Sequence, residues 1–462
     1  MKGQLNFQAT VFKQLTLPEL VNQSFSANGS SHFNDPAFAG NKTLPIHRWT
    51  PWIAGFSSDF VKDVLERYAH GKSIVLDPFA GVGTTLVEAA LSGYDSVGFE
   101  INPYAALASR VKVNSYKIDI ALLNEHILLF KEFYHEKTTS DYIPHSHPPK
   151  GFKTRAAFYS PKVLHKVLIL QDYITLIDEA SIKDLFGLAF ASTMVSYSNY
   201  SYEPSLGRRV SAGKNEILDY LVGEAITRKL IEFSEDIKWF QNNKPVSETK
   251  AKIVETSFFE YEKYLTPESV DLIITSPPYL NNYHYNRNTR PHLYWLGFAE
   301  SPGDFKNLEQ TNFGKYWQTV REQNRVDLEY RLPNSDLTQK LETLRAQKPE
   351  KGIYGGHGWA NYAASYFNDC YKFALGMKYA LKSGGVALIV IGNSILQGIL
   401  MPTDRYLGEI AQNLGLELAR IDVPRATRVG NSIIQSDVRT VKAKSSHQLY
   451  EAIVELRKPL AS

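Results

Sequence analysis

The chain carries a single cysteine, Cys370. One cysteine excludes a disulfide framework within the chain and a zinc site built on several thiolates. No run of about 18 apolar residues is present, so no membrane-spanning helix and no membrane partner are expected. The first residues, Met1 to Gln8, lack the apolar stretch of a signal peptide. These absences predict a soluble, cytoplasmic protein. A strong charge imbalance is missing too. The net charge is +3, so any nucleic-acid contact must come from local clusters rather than a global field. Internal repeats, heptad runs and low-complexity tracts are also lacking.

What is present suits a packed α/β protein. The 462 residues, 43% of them hydrophobic, allow two or three domains or one elaborated domain with insertions. The organising stretch is Val270 to Tyr279. Val270, Leu272, Ile273 and Ile274 predict a strand buried on both faces. Pro277 and Pro278 stop it, because neither donates to a ladder and both fix φ. A stiff corner then stands at the carboxyl end of a strand, where open α/β sheets place their ligands. The Ser276 side-chain oxygen and the Pro277 carbonyl can both face one exocyclic amino group, and Tyr279 offers a flat face to a base. Two acceptors on its hydrogens would make a conjugated amino nitrogen more tetrahedral and stabilise the positive charge that grows as it attacks. A plain Ser-Pro-Pro turn with a structural tyrosine is the competing reading of this stretch alone.

A second pattern favours chemistry. Ser73 to Leu76 reads as a strand, Asp77-Pro-Phe-Ala-Gly-Val-Gly-Thr-Thr85 as a glycine loop, and Leu86 to Leu91 as a helix. Gly81 and Gly83 let backbone approach a ligand, and the helix N-terminus presents free N–H groups. The loop lacks Gly-Lys-Ser/Thr and the third glycine of the dinucleotide fingerprint. It therefore suits a nucleoside carrying a carboxylate better than a pyrophosphate. A second strand, Ser96 to Phe99, ends at Glu100, roughly 20 positions after the loop, where an acid can hold ribose hydroxyls.

Asp77 to Thr85 resembles motif I of the S-adenosylmethionine-dependent amino-methyltransferases of DNA, and Thr275-Ser-Pro-Pro-Tyr279 resembles their catalytic motif in the form typical of N4-cytosine enzymes. His47 to Ser58 lies where the family's motif X precedes motif I. The resemblance spans roughly residues 45–110 and 250–440. It implies a doubly wound, Rossmann-like methyltransferase sheet with a helical insertion and a target-recognition insertion. It implies S-adenosylmethionine as cofactor, held by Asp77, Phe79, Gly81, Gly83, Thr84, Thr85, Glu100, Asn102 and Thr275. Ser276, Pro277, Pro278 and Tyr279 become the catalytic set, and no metal is required. Double-stranded DNA is the implied partner, contacted by Arg287, Arg290, Arg425 and Arg428, with a cognate restriction endonuclease encoded separately. The implied reaction is methylation of the cytosine N4 amino group within a restriction–modification or related defence system. Adenine N6 is the alternative within this chemistry, and an inactive cofactor- or DNA-binding subunit is the alternative outside it.

The organisation follows. Residues 1–45 read as an irregular arm, 46–110 as the cofactor-binding half of the core, and 111–250 as a mainly helical insertion. Within that insertion, Asn199 to Lys214 reads as a loop with Arg208, Arg209 and Lys214 available to a nucleic-acid backbone. Residues 251–298 return to the core with the catalytic corner. Glu255, Thr256 and Ser257 stand together as candidates to receive the adenine amino group of the cofactor. Residues 299–360, polar and poor in hydrophobics, read as the target-recognition insertion. Residues 361–462 complete the core, with a helix over Tyr362–Leu381 and strands near Val386–Ser394, Leu416–Val423 and Tyr450–Leu456.

Overall fold

The structure is a computed structural model; it describes residues 32–36, 38–50, 52, 55–202, 206–245, 248–280, 285–425 and 449–460. Most of the arm predicted over 1–45 lies outside these residues.

The first half of the core alternates strand and helix. Helix α1 (Ser58–Tyr68) is capped by the Ser57 side chain, which accepts from the Asp59 N–H. Strand β1 (Ile74–Asp77) leads through the glycine loop into α2 (Thr84–Leu91), and β2 (Asp95–Phe99) leads into α3 (Pro103–Asn114). The stretch that follows holds α4 (Ile120–Thr139), α5 (Pro161–Thr175), α6 (Ala180–Thr193), the short strands β3 (Tyr200–Tyr202) and β4 (Leu206–Arg208), and α7 (Val222–Asn243). Strands β5 (Ala251–Val254) and β6 (Val270–Thr275) return to the sheet. Beyond them come α8 (Tyr285–Trp295), α9 (Pro302–Thr311), α10 (Trp317–Val320), α11 (Leu337–Arg345) and α12 (Gly356–Ala380). The chain closes with β7 (Leu381–Gly392), β8 (Ser394–Leu396), β9 (Ile399–Met401), α13 (Thr403–Asn413), β10 (Glu417–Arg425) and β11 (Glu451–Arg457).

Seven strands form one sheet in the order β10-β11-β7-β6-β1-β2-β5. β7, β6, β1, β2 and β5 run parallel. β11 is antiparallel to both of its neighbours. The chain order reverses between β1 and β6, so the crevice at their carboxyl ends is the topological switch point. Side chains alternate across this sheet, as strand geometry requires. Val75, Leu272, Ile274, Leu388, Val390 and Ile453 face α1 and pack with Phe60, Val61 and Val64. Leu76, Ile273, Ile389, Ile391 and Val454 face the opposite way and pack with residues of α12 and α13, among them Phe367, Phe373 and Leu407. Helices on both faces make the fold a Rossmann-like, doubly wound α/β sheet. No described helix is long and apolar enough to cross a membrane.

Two expectations need correction. The segment around Asn199 to Lys214 contains a β-hairpin, Tyr200 pairing with Arg208, where a loop was expected. Tyr200-Ser-Tyr202 alternates aromatic and small residues, which suits a pleated edge. The Leu206 N–H also finds the Asn288 side-chain oxygen at 2.9 Å. Residues 299–360 are less solvated than their composition predicts. Leu337, Leu341 and Leu344 recur at helical spacing on α11 and are buried against the flank of α12.

Ile273 is fully buried on the α12 face. Ile273→Ala is expected to cost about 2–5 kcal/mol of stability, read from urea melts. A loss below about 0.5 kcal/mol, the range of an unremarkable surface change, would contradict this core position.

Candidate active site

The site is built from the tips of β1 and β6. The Thr275 hydroxyl donates to Asp77 Oδ1 at 2.6 Å, fully buried. The Phe79 N–H donates to the same oxygen at 3.0 Å, and the Thr85 hydroxyl reaches the Ile274 carbonyl at 3.3 Å. The first turn of α2 is thereby stitched to β6. Burial pushes the Asp77 carboxyl up to about 6, against the opposing pull of the Thr275 hydroxyl.

The two glycines of the loop serve different ends. Gly81 stands at φ +52°, and its N–H donates to Glu100 Oε2 at 2.9 Å. Glu100 Oε1 accepts from the Asn102 N–H at 2.7 Å. Burial pushes Glu100 up to about 7, with these two N–H groups pulling it back. Gly83, at φ +87°, matters for packing, since a Cβ there would lie 2.6 Å from Ser109 Oγ. Its lack of a side chain lets α2 pack onto α3. Asn102 is committed at both ends. Its Oδ1 caps α3 through the N–H groups of Tyr104 and Ala105, and its Nδ2 donates to Thr289 Oγ1 at 2.8 Å.

A pocket opens above these tips, enclosing about 670 Å³ of atom-free space with its open mouth included. Phe79, Gly81, Glu100, Asn102, Ser276 and Pro278 line it, whereas Asp77, Thr84, Thr85 and Thr275 are buried outside its lining. Other lining residues were not singled out from the sequence: Trp52, Phe258, Asn286 and the run Thr311-Asn312-Phe313. Trp52 stands over the glycine loop, 3.4 Å from where a Gly81 Cβ would be. Phe313 brings the 299–360 segment into the pocket wall, 5.1 Å from the Phe79 ring centroid. Of the three candidates after β5, Thr256 and Ser257 line the pocket, while Glu255 turns to Arg110 at 3.8 Å. Asn286 is 3% exposed, and its Nδ2 has no hydrogen-bond partner among the described residues, so it is a candidate donor to an acceptor on the occupant.

The corner after β6 adjoins the same pocket. Tyr366 of α12 donates to the Pro278 carbonyl at 3.0 Å, and Tyr362, one turn earlier, donates to the Leu280 carbonyl. Pro277 is buried. The Tyr279 hydroxyl donates to Glu451 Oε1 at 3.0 Å, and its ring lies against Gly392, where a Cβ would approach within 2.9 Å. Tyr279 is not among the pocket-lining residues.

The arginines separate. Arg287 is exposed. Arg290 donates to the Lys153 carbonyl at 3.1 Å and lies over the rings of Phe152 and Tyr294, which gives it an architectural role. The Arg425 side chain and all of Arg428 lie outside the described residues.

Comparison with known proteins adds the family. Residues 30–110 match the N6/N4 family model described as DNA methylase. The chain is 22% identical over 436 residues to the type II methyltransferase M.BsoBI of Geobacillus stearothermophilus, covering 86% of this chain and 83% of that one. It is 24% identical over 418 residues to the type II methyltransferase M.AvaI of Anabaena variabilis, covering 86% and 84%. The match to the DNA methylase model is confined to residues 30–110, while the similarity to type II methyltransferases extends over most of the chain. S-adenosylmethionine is the group that the sequence resemblance implies for this site. The pocket fits that group: aromatic walls for a base, a carboxylate for a ribose diol, and an unsatisfied amide donor for a carboxylate. A third relative, the type II methyltransferase M.MvaI of Kocuria varians, is 23% identical over 383 residues, 79% of this chain and 80% of that one.

Thr275→Val, nearly isosteric, removes the hydroxyl and leaves the buried Asp77 without its shortest partner. A loss of about 1–3 kcal/mol is expected. The pH dependence has a defined sign. A folded-state value of about 6, above the roughly 3.9 of an unfolded aspartate, means the fold binds this proton more tightly. Its contribution is full below about pH 4 and is lost as pH rises through 6. Urea melts should show a larger deficit for the variant at pH 8 than at pH 5. An equal deficit at both would remove Asp77 from the explanation.

Proposed function

We propose that the chain methylates the N4 amino group of cytosine in double-stranded DNA, as the modification enzyme of a type II system whose endonuclease is encoded separately. The observation that carries this reading is the Ser276-Pro277-Pro278 corner opening on the same pocket as Gly81 and Glu100. The type II names of the relatives support the pairing with an endonuclease. The Thr-Ser-Pro-Pro-Tyr form of the corner favours cytosine over adenine.

S-adenosylmethionine supplies an electrophilic methyl group on a sulfonium. The chain's own residues then have distinct roles. Glu100 would accept the ribose hydroxyls, Phe258 and Phe313 would stand beside the base, and Asn286 Nδ2 would donate to the carboxylate. A cytosine inside a duplex cannot reach this pocket, so it leaves the stack. Tyr279 gives it a face to stack on. Ser276 Oγ and the Pro277 carbonyl accept its amino hydrogens and stabilise the charge that develops on nitrogen during in-line attack. The Tyr366 hydroxyl, bonded to the Pro278 carbonyl, fixes the backbone of this corner. Alignment and charge stabilisation supply the catalysis.

Incubation with tritium-labelled cofactor and mixed-sequence duplex DNA, followed by nucleoside analysis, tests the reading directly. Labelled N4-methyldeoxycytidine is the expected product. Labelled N6-methyldeoxyadenosine would reassign the base, and cofactor binding without any label would support an inactive subunit. Ser276→Ala should keep cofactor affinity and lose about 100-fold or more in turnover. Unchanged methylation would remove Ser276 from the mechanism.

Glu100 gives a pH signature. Its carboxyl, pushed up to about 7, must be ionised to accept both hydroxyls, so cofactor affinity should rise from pH 6 to pH 8 and then level off. Glu100→Gln should flatten that profile in calorimetric titrations. An unchanged profile in the variant would place the titrating group elsewhere.

A further inference from the structure

The backbone at Ile46 is strained. Its φ of +66° and ψ of −48°, with the His47 N–H donating back to the Pro45 carbonyl at 2.7 Å, describe a γ-turn of the rare hand. For a β-branched residue this region is costly and needs surroundings that impose it.

The surroundings are explicit, and they converge on Asp236 of α7, which is 2% exposed. Asp236 Oδ2 accepts from the Ile46 N–H at 2.9 Å, from Trp49 Nε1 at 2.9 Å and from Arg48 Nε at 3.1 Å. Asp236 Oδ1 accepts from Arg48 Nη2 at 2.6 Å. Charge-assisted bonds of this kind are the strong ones. The carbonyls of the same turn are held as well: Lys112 Nζ donates to that of His47 and Lys229 Nζ to that of Arg48, both at 3.3 Å. The Trp49 ring stacks on Phe233 of α7 at 4.1 Å. Three residues beyond Trp49, Trp52 forms the pocket wall facing Gly81.

A turn so heavily constrained, next to a ligand pocket, is how strain is stored at functional sites. We infer that Asp236 is a positioning residue for the cofactor pocket, fixing the 46–49 turn and through it the Trp52 wall opposite Gly81. The inference rests on the reading of that pocket as the S-adenosylmethionine site. It makes α7, far along the chain from the glycine loop, part of the cofactor machinery.

The test compares the full chain with Asp236→Asn and Trp49→Phe. Asp236→Asn replaces two acceptor oxygens by one acceptor and one donor. Trp49→Phe keeps the stack on Phe233 and loses only the indole N–H. Cofactor affinity is measured by calorimetry well below the melting temperature, with near-UV circular dichroism to establish folding. Duplex DNA binding without cofactor is measured by gel shift. Asp236→Asn should weaken cofactor binding about tenfold or more, Trp49→Phe should weaken it less, and both should bind DNA as the parent does. A folded Asp236→Asn variant with parental cofactor affinity overturns the inference. Should Asp236→Asn fail to fold, Trp49→Phe decides: unchanged affinity overturns it and weakened affinity supports it. Absence of cofactor binding by the parent would instead overturn the reading of the pocket.

Discussion

The buried bond between Thr275 and Asp77 joins positions 198 residues apart, and the rest of the site depends on it. It closes the switch point between β1 and β6, the place where an open α/β sheet leaves a crevice. From its two ends the chain departs in opposite senses: Asp77 into the glycine loop and α2, Thr275 into the Ser-Pro-Pro corner. The two segments that line the pocket therefore share one origin. A shift of either strand would move both loops. The bond is short and its acceptor is a carboxylate, so it belongs to the stronger class of hydrogen bonds.

From that origin each loop is held by elements remote in sequence. Tyr362 and Tyr366, one turn apart on α12, take the carbonyls of Leu280 and Pro278 and so fix the corner's backbone. The topology makes this possible. Helix α12 runs directly into β7, parallel neighbour of β6, so its N-terminal half lies at the carboxyl end of the sheet. On the other side, Asp236 and Lys229 of α7 hold the turn that precedes Trp52. Segments that interrupt the core in sequence thus complete it in space. Phe313 adds a wall, and the Gly314 N–H is bound to the Asp369 carboxylate of α12 at 3.0 Å.

The sequence discloses the parts of this arrangement that are locally encoded. The apolar run of β6, the prolines that end it, the loop after β1 and the acid after β2 all carry their signal within about ten residues, because strand burial and turn chemistry are local. Contacts made across the fold left little trace. Trp52 lies within the stretch placed at motif X, but nothing local marks it, rather than its large neighbours, as the pocket wall. Phe313 lies in a segment whose composition argues for a solvated surface. Asp236 is one of many acids on an amphipathic helix, and its partners are almost 190 residues earlier. Gly83 shows the reverse error: its identity is legible, but its reason, the approach of Ser109, is a tertiary fact. The contacts of Arg290 with Phe152, Tyr294 and the Lys153 carbonyl are likewise tertiary and carry no local signal.

Electrostatics connects the fold to the proposed chemistry. Asp77 and Glu100 end adjacent strands, both buried enough to be pushed up to about 6 and about 7, and the charge of Asp77 adds to the rise at Glu100. Two carboxylates held this way are poorly compensated near neutral pH, since burial penalises the ionised form and each makes the other harder to ionise. A ligand whose two hydroxyls donate to Glu100 offsets the penalty at that pocket-lining carboxylate. It stabilises the ionised form, so its binding is coupled to proton release. A neutral nucleoside offers the hydroxyls without a positive centre, and a pyrophosphate brings charge of the wrong sign. Of the two carboxylates, Glu100 is the one that faces the pocket, so it is there that the charge and hydroxyls of the proposed occupant matter.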